Sequence, residues 1–198
     1  MPRDKHSLTN ADILPLAEWD KIRLEHRKAL SLRKRNRRVG IGPHATLYFE
    51  NWDTMWYQVQ EMLRIEKGGA EQLVDELAAY NPLIPQGREL VATFMIEIPD
   101  EFKRRHILNQ LGGIEETISI AIGNDRIKAV PESELERTTA AGKTSSIHFL
   151  HFPFTAQQIA ALRDGATEIM VRIDHPNYGH AAIVSNAVRV DLAGDFAD

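Results

Sequence analysis

The sequence predicts an α+β protein, a mostly antiparallel sheet with helices packed on one face in a single compact domain. Three observations carry this. Runs of alternating apolar residues and runs of helical spacing are mixed along the 198 residues with no regular strand–helix–strand rhythm. Apolar residues make up 43% and charged residues 26%, the balance of a globular chain rather than a disordered or fibrous one. No Pro/Ser-rich linker interrupts the chain, and folding at this length hides roughly 70% of the unfolded surface, so one core suffices. The expected organisation is an N-terminal helical segment over about 8–35 and a mixed core over about 37–192.

In order, Thr9 is placed to cap a helix beginning near Asp12, with loose helical spacing of Ile13, Leu16, Ile22, Leu24, Leu30 and Leu32. Its end is strongly basic, with Arg33, Lys34, Arg35, Arg37 and Arg38 in close succession. Val39–Ile41 and Ala45–Phe49 read as short strands around a Gly42-Pro43-His44 turn. Trp52, Met55, Trp56, Val59, Met62 and Leu63 share one helical face, the clearest amphipathic helix in the chain, running to Glu66. Gly68-Gly69 ends it; a helix to Tyr80 and an extended loop over Asn81–Gly87 follow. Further strands are expected over Glu89–Ile98, Thr117–Ile122, Ser146–Phe154 and Thr167–Ile173, with a short segment at Ile127–Val130. Helices are expected over Asp100–Leu111 and from Thr155 to Arg163, a polar loop over Pro131–Thr144, a loop over Asp174–His180, and a closing strand or helix pair to Leu192.

Composition removes several kinds of chemistry. The chain has no cysteine, which excludes disulfides, thiolate metal sites and cysteine nucleophiles, so any metal must sit on imidazole and carboxylate. Apolar runs stay well short of the ~20 residues of a membrane span, and the N-terminus has no secretory core, so the expected location is the cytoplasm, away from membranes. A net charge of −4 gives no global reason to expect nucleic acid as a partner, and the basic run lacks interleaved aromatics.

Among the eight histidines, His44 sits on a turn, His148 lies in a strand, and His175 and His180 bracket a Pro/Gly-containing stretch. Neutral imidazoles bind iron, manganese or zinc, and three with an open position make a catalytic centre. His148 and His151 are three apart in one strand and point to opposite faces, so only one can join a given site. Glu66, at the edge of the amphipathic face, and Glu50, just after Phe49, are the carboxylate candidates; burial would raise the pKa of either. Ala141-Gly142-Lys143-Thr144-Ser145 lacks the earlier glycine of a phosphate-binding loop, since Arg137 stands at that position. Ser-His-Asp chemistry is recognised by geometry rather than chain order, so a hydrolase is not supported.

Several blocks in fixed order carry a resemblance. They are Asn36-Arg37-Arg38-Val39, Gly42-Pro43-His44-Ala45-Thr46, Tyr57 to Glu66, Tyr80 to Pro85, Lys143-Thr144-Ser145 with His148-Phe149-Leu150, and Asp174-His175-Pro176 with Tyr178 and His180. Together, from about Leu8 to Leu192, the chain resembles an uncharacterised bacterial family catalogued as domain of unknown function 3501. The resemblance implies one compact domain and, through neighbouring genes, redox or oxidative-stress work beside an iron–sulfur or rubrerythrin-like partner. It also implies that His44, His148, His175 and His180 belong to the site, while His151 stands where another residue is expected.

The leading expectation is a histidine-rich metal-binding protein acting as a redox accessory. It would hold a divalent iron, manganese or zinc ion on His44, His148, His175 and His180, with Glu66 or Glu50 adding a carboxylate. The alternative is a non-enzymatic protein–protein interaction module with structural histidines, whose contact surface is the basic segment Arg33–Arg38 or the Asn81–Gly87 loop. A third reading is a metal-free acid/base enzyme using His148 and a nearby carboxylate.

Overall fold

The computed structural model describes residues 5–132 and 144–197; the expected polar loop over 131–144 and Lys143 lie largely or wholly outside them. The fold is α+β, with six α-helices and nine strands among the described residues. Rather than one sheet there are two, and every strand pairing in both is antiparallel. The first has the order β1 (Arg38–Ile41), β2 (Ala45–Glu50), β3 (Glu89–Ile96), β7 (Ile147–Pro153), β6 (Val130–Pro131), and the second β5 (Asp125–Lys128), β4 (Ile118–Ile122), β8 (Ile169–His175), β9 (Tyr178–Ile183).

Period-two alternation divides the first sheet into two faces. Leu47, Phe49, Leu90, Phe94, Leu150 and Phe152 point inward and share one core with Ile120, Val171 and Ile173 of the second sheet. Helices α4 (Glu101–Leu108), α5 (Ala156–Asp164) and α6 (Asn186–Ala193) add Leu108, Ile159, Leu162, Val188 and Leu192 to it. The outer face carries Val91 and Phe149, covered by a second core of Trp19, Met55, Trp56, Val59, Leu83 and Ile84. That core comes mainly from α1 (Leu16–Lys34), α2 (Trp52–Glu66) and the connection following α3 (Gly69–Tyr80).

Two boundaries differ from the sequence reading for identifiable reasons. Thr9 caps only a 3₁₀ turn, Asn10–Asp12, which the extended backbone of Ile13 ends, and α1 starts after Pro15. The stretch 174–180 is a hairpin rather than a loop: β8 continues to His175, Pro176-Asn177 makes the turn, and β9 starts at Tyr178. The inward set Ile169, Val171, Ile173 and His175 keeps the strand period to its end. Asn177 secures the turn by donating its side-chain N–H to the Gln110 carbonyl at 2.8 Å.

The N-terminal helix is bolted to α2 by aromatic and ionic contacts. Trp19 lies edge-on to Trp56 and Tyr57, His26 stacks on Tyr57 at 6.0 Å, and Trp19 and Arg23 both donate to the Glu61 carboxylate. Burial lowers the His26 pKa, which favours the uncharged ring that packs among these aromatics. At the end of α1, Arg37 is only 3% exposed. Its guanidinium donates to the backbone carbonyls of Phe49 and Glu50 at 3.0 Å and to the carboxylates of Asp191 and Asp195. One buried cation thus joins the α1 exit, the end of β2 and the C-terminal helix. Arg37→Ala would remove a buried donor from Asp195, from Asp191 and from two backbone carbonyls, and the expected loss is about 3–5 kcal/mol in urea unfolding. A loss below about 1 kcal/mol, the scale of an exposed ion pair, would show that Arg37 does not hold this junction.

Candidate functional site

The four candidate histidines are engaged at different places in the fold. His44 and His180 meet where the β1–β2 turn docks on the β8–β9 hairpin. There the Tyr178 hydroxyl accepts the backbone N–H groups of His44 and Ala45 at 2.8 and 3.0 Å and donates to the Ile41 carbonyl at 2.9 Å. The His180 ring stacks on Tyr178 at 4.5 Å and lies over Gly42, where an added Cβ would come within 1.7 Å of it. Gly42 also has φ of 68°, so both the turn and the close approach require glycine there.

His148 and His175 lie on either side of the turn around residues 112–115. The His175 Nδ1 accepts the Asn177 N–H at 3.2 Å and its Nε2 donates to the Gly112 carbonyl at 3.3 Å, which engages both nitrogens within the fold. His148 is 1% exposed. Its Nε2 lies 3.0 Å from the Ser145 carbonyl and from the Thr144 hydroxyl, and its Nδ1 is 3.7 Å from Glu115. Because a carbonyl only accepts, that Nε2 carries the proton.

The carboxylate candidates stand apart from these rings. Glu50 is buried at the end of β2 and accepts the Thr93 hydroxyl at 2.7 Å. Glu66 is exposed at the end of α2, next to the left-handed Lys67, and it accepts from Gln72. Among the described residues no three His, Asp or Glu side chains are grouped to hold a metal ion. No described helix is long and apolar enough to cross a membrane.

His151, set aside in the sequence reading, is the imidazole with two acidic neighbours. It projects from β7 on the face opposite His148, with Nδ1 2.9 Å from Glu89 and Nε2 3.3 Å from Glu132. Hydrogen bonding to Glu89 raises its pKa, and the field of both carboxylates adds to this against the opposing effect of burial. The Asn81–Gly87 loop is also committed within the fold. The Asn81 side chain exchanges hydrogen bonds with Leu8 N and O, Gln86 donates to the His6 carbonyl, and the Gly87 carbonyl accepts from Ala197.

The basic segment behaves differently. Arg33 pairs with Asp53 at 2.9 Å and Arg37 is buried in its own network. Between and beside them, Lys34, Arg35 and Arg38 join Arg27, Leu30, Ser31, Tyr48 and Tyr57 around an open cleft of about 450 Å³, within the range of natural ligand sites. Among the described residues none of these four cations forms an ion pair or side-chain hydrogen bond. The cleft therefore gathers four cations without direct ion pairs against two tyrosine rings, with the Glu97 carboxylate held by the Tyr48 hydroxyl at 2.9 Å, in a chain whose net charge is −4. The sequence displayed the charge run but not which members find internal carboxylates. It gave no signal for Arg27, Tyr48 and Tyr57, which come from three different elements.

The profile of a family described as Protein of unknown function (DUF3501) matches residues 7–196. A crystal structure of a protein of unknown function from Burkholderia pseudomallei is 36% identical, covers 96% of this chain and 100% of its own, and superposes with a TM-score of 0.89. No curated protein matches the chain.

The His151 cluster has a signed pH dependence. A folded pKa above the ordinary ~6.5 stabilises the fold fully below that value, and the contribution fades as pH rises through the higher folded pKa. The stability difference between wild type and His151→Gln, read by thermal unfolding, is expected to be largest near pH ~6 and to shrink toward pH ~9. A difference constant across that window would place the ion pairs outside the stability of the fold.

Proposed function

The chain belongs to the DUF3501 family across residues 7–196, and from that premise we propose that it is a non-enzymatic interaction module whose basic cleft receives an acidic protein partner. One observation carries the reading: Arg27, Lys34, Arg35 and Arg38 line a single concavity, and among the described residues none of them forms a direct ion pair. Self-repulsion among cations is relieved when a partner brings carboxylates, and such complementarity steers encounter and fixes orientation. The position suits recognition, because Arg37 holds the backbone between Arg35 and Arg38 while the aromatic contacts hold α1 on α2. The histidines then serve the fold: Tyr178 and His180 fasten the β1–β2 turn, and His175 fastens the hairpin.

The test is affinity capture from host extract with wild type, with Arg35→Glu/Arg38→Glu, and with wild type plus chelator. The cleft reading predicts an acidic protein held at about 0.1 M salt and released near 1 M, where the Debye length falls from ~10 to ~3 Å. It also predicts loss of that protein with the double variant and retention with chelator. The same proteins captured by wild type and double variant would overturn it, and release by chelator alone would turn attention to a bound divalent iron, manganese or zinc ion.

A further inference from the structure

The outward face of α1 carries two parallel rows. Leu24 and Leu32 stand eight positions apart, 62% and 60% exposed, with Lys28 between them. At ~1.5 Å per residue their separation along the axis is about 12 Å. Beside them Arg27 and Ser31 share one face of α1 at four-residue spacing, and Arg35 follows just past the helix end, where a 3₁₀ turn begins. Leu24, Arg27, Lys28, Ser31 and Leu32 line a shallow groove of about 480 Å³ that shares Arg27 and Ser31 with the basic cleft. Apolar anchors and cations without direct ion pairs thus form one continuous surface. The opposite face of α1 is spent inward through Trp19, Arg23 and Leu30.

Resting on the reading of the cleft as a docking site, we infer that its occupant is an acidic amphipathic helix of a partner protein. Apolar side chains about two turns apart on that helix seat against Leu24 and Leu32, and its carboxylates face Arg27, Arg35 and Arg38. This is helix-in-groove recognition, in which apolar anchors set the register and flanking charges the choice of partner. A second copy of the chain does not fit, since a two-fold contact would lay the cationic row against itself. A lipid surface fits less well, because two leucines are a small apolar stripe for an interfacial helix and Arg38 and Lys34 lie in a concavity. Phosphate-backbone binding gives the leucines no role.

The discriminating experiment titrates full-length protein with a synthetic helical peptide bearing leucines on one face and glutamates beside them. A control peptide has the same composition with its leucines scattered around the helix. All three tryptophans lie in the α1–α2 aromatic cluster, and Trp19 and Trp56 belong to the contacts around Tyr57, a lining residue of the cleft, so intrinsic fluorescence reports binding. The amphipathic peptide is expected to bind at least tenfold more tightly than the control. Leu24→Ser/Leu32→Ser should remove that preference while leaving the thermal unfolding temperature unchanged. Equal binding of both peptides, abolished only by Arg35→Glu/Arg38→Glu, would overturn the helix inference and leave the acidic-partner reading standing. Binding of neither peptide would count against both. Tighter capture by vesicles containing phosphatidylserine, or by an oligothymidylate, would overturn the helix as occupant.

Discussion

The buried Arg37 guanidinium is the constraint on which the arrangement around the cleft depends. A cation removed from water at this depth is tolerated only when it is paired and fully hydrogen-bonded. Arg37 meets that condition through two carboxylates near the C-terminus and two carbonyls at the end of β2. Residues 154 and 158 positions away in sequence are thereby tied to the exit of α1. With Arg37 fixed inward, the chain alternation into β1 places Arg38 outward and Val39 inward, and the cleft takes its form.

The same economy of polar groups governs the histidines. Imidazole is versatile because each nitrogen can donate or accept, and a fold can use that for fastening as well as for catalysis. His175 uses both nitrogens to hold a hairpin, and His180 covers a glycine that could not otherwise be approached. His151 bridges a carboxylate at the start of β3 and another after β6. A motif rich in His, Gly, Pro and Tyr can therefore reflect a turn docking on a hairpin.

How much was legible follows from the range of each interaction. The helix Trp52–Glu66 is legible at its observed bounds because six apolar residues on one face and a terminating glycine pair act locally; the Asn51 cap is supplied by the structure. The alternation that separates His148 from His151 was likewise visible, being a property of one strand. The hairpin at 174–180 was not, because Pro, Asn and Gly were read as seven residues of loop where the chain needs only two for its turn. Division into two sheets was also hidden, since adjacent sequence segments such as β5 and β6 join different sheets. At the site, the charge run was plain, but the sorting of Arg33 and Arg37 into ion pairs and of Arg35 and Arg38 into open charge depends on carboxylates up to 158 residues distant.

The central proposal is that the cleft lined by Arg27, Lys34, Arg35 and Arg38 receives carboxylates of a partner. Backbone and tyrosine NMR shifts during titration with an oligoglutamate peptide test it directly. The account predicts saturable changes confined to Arg27, Ser31, Lys34, Arg35 and Arg38 and to the Tyr48 and Tyr57 rings that line the cleft with them. Weak changes scattered over unrelated basic residues such as Lys103 and Lys128, with the two tyrosines unmoved, would contradict it.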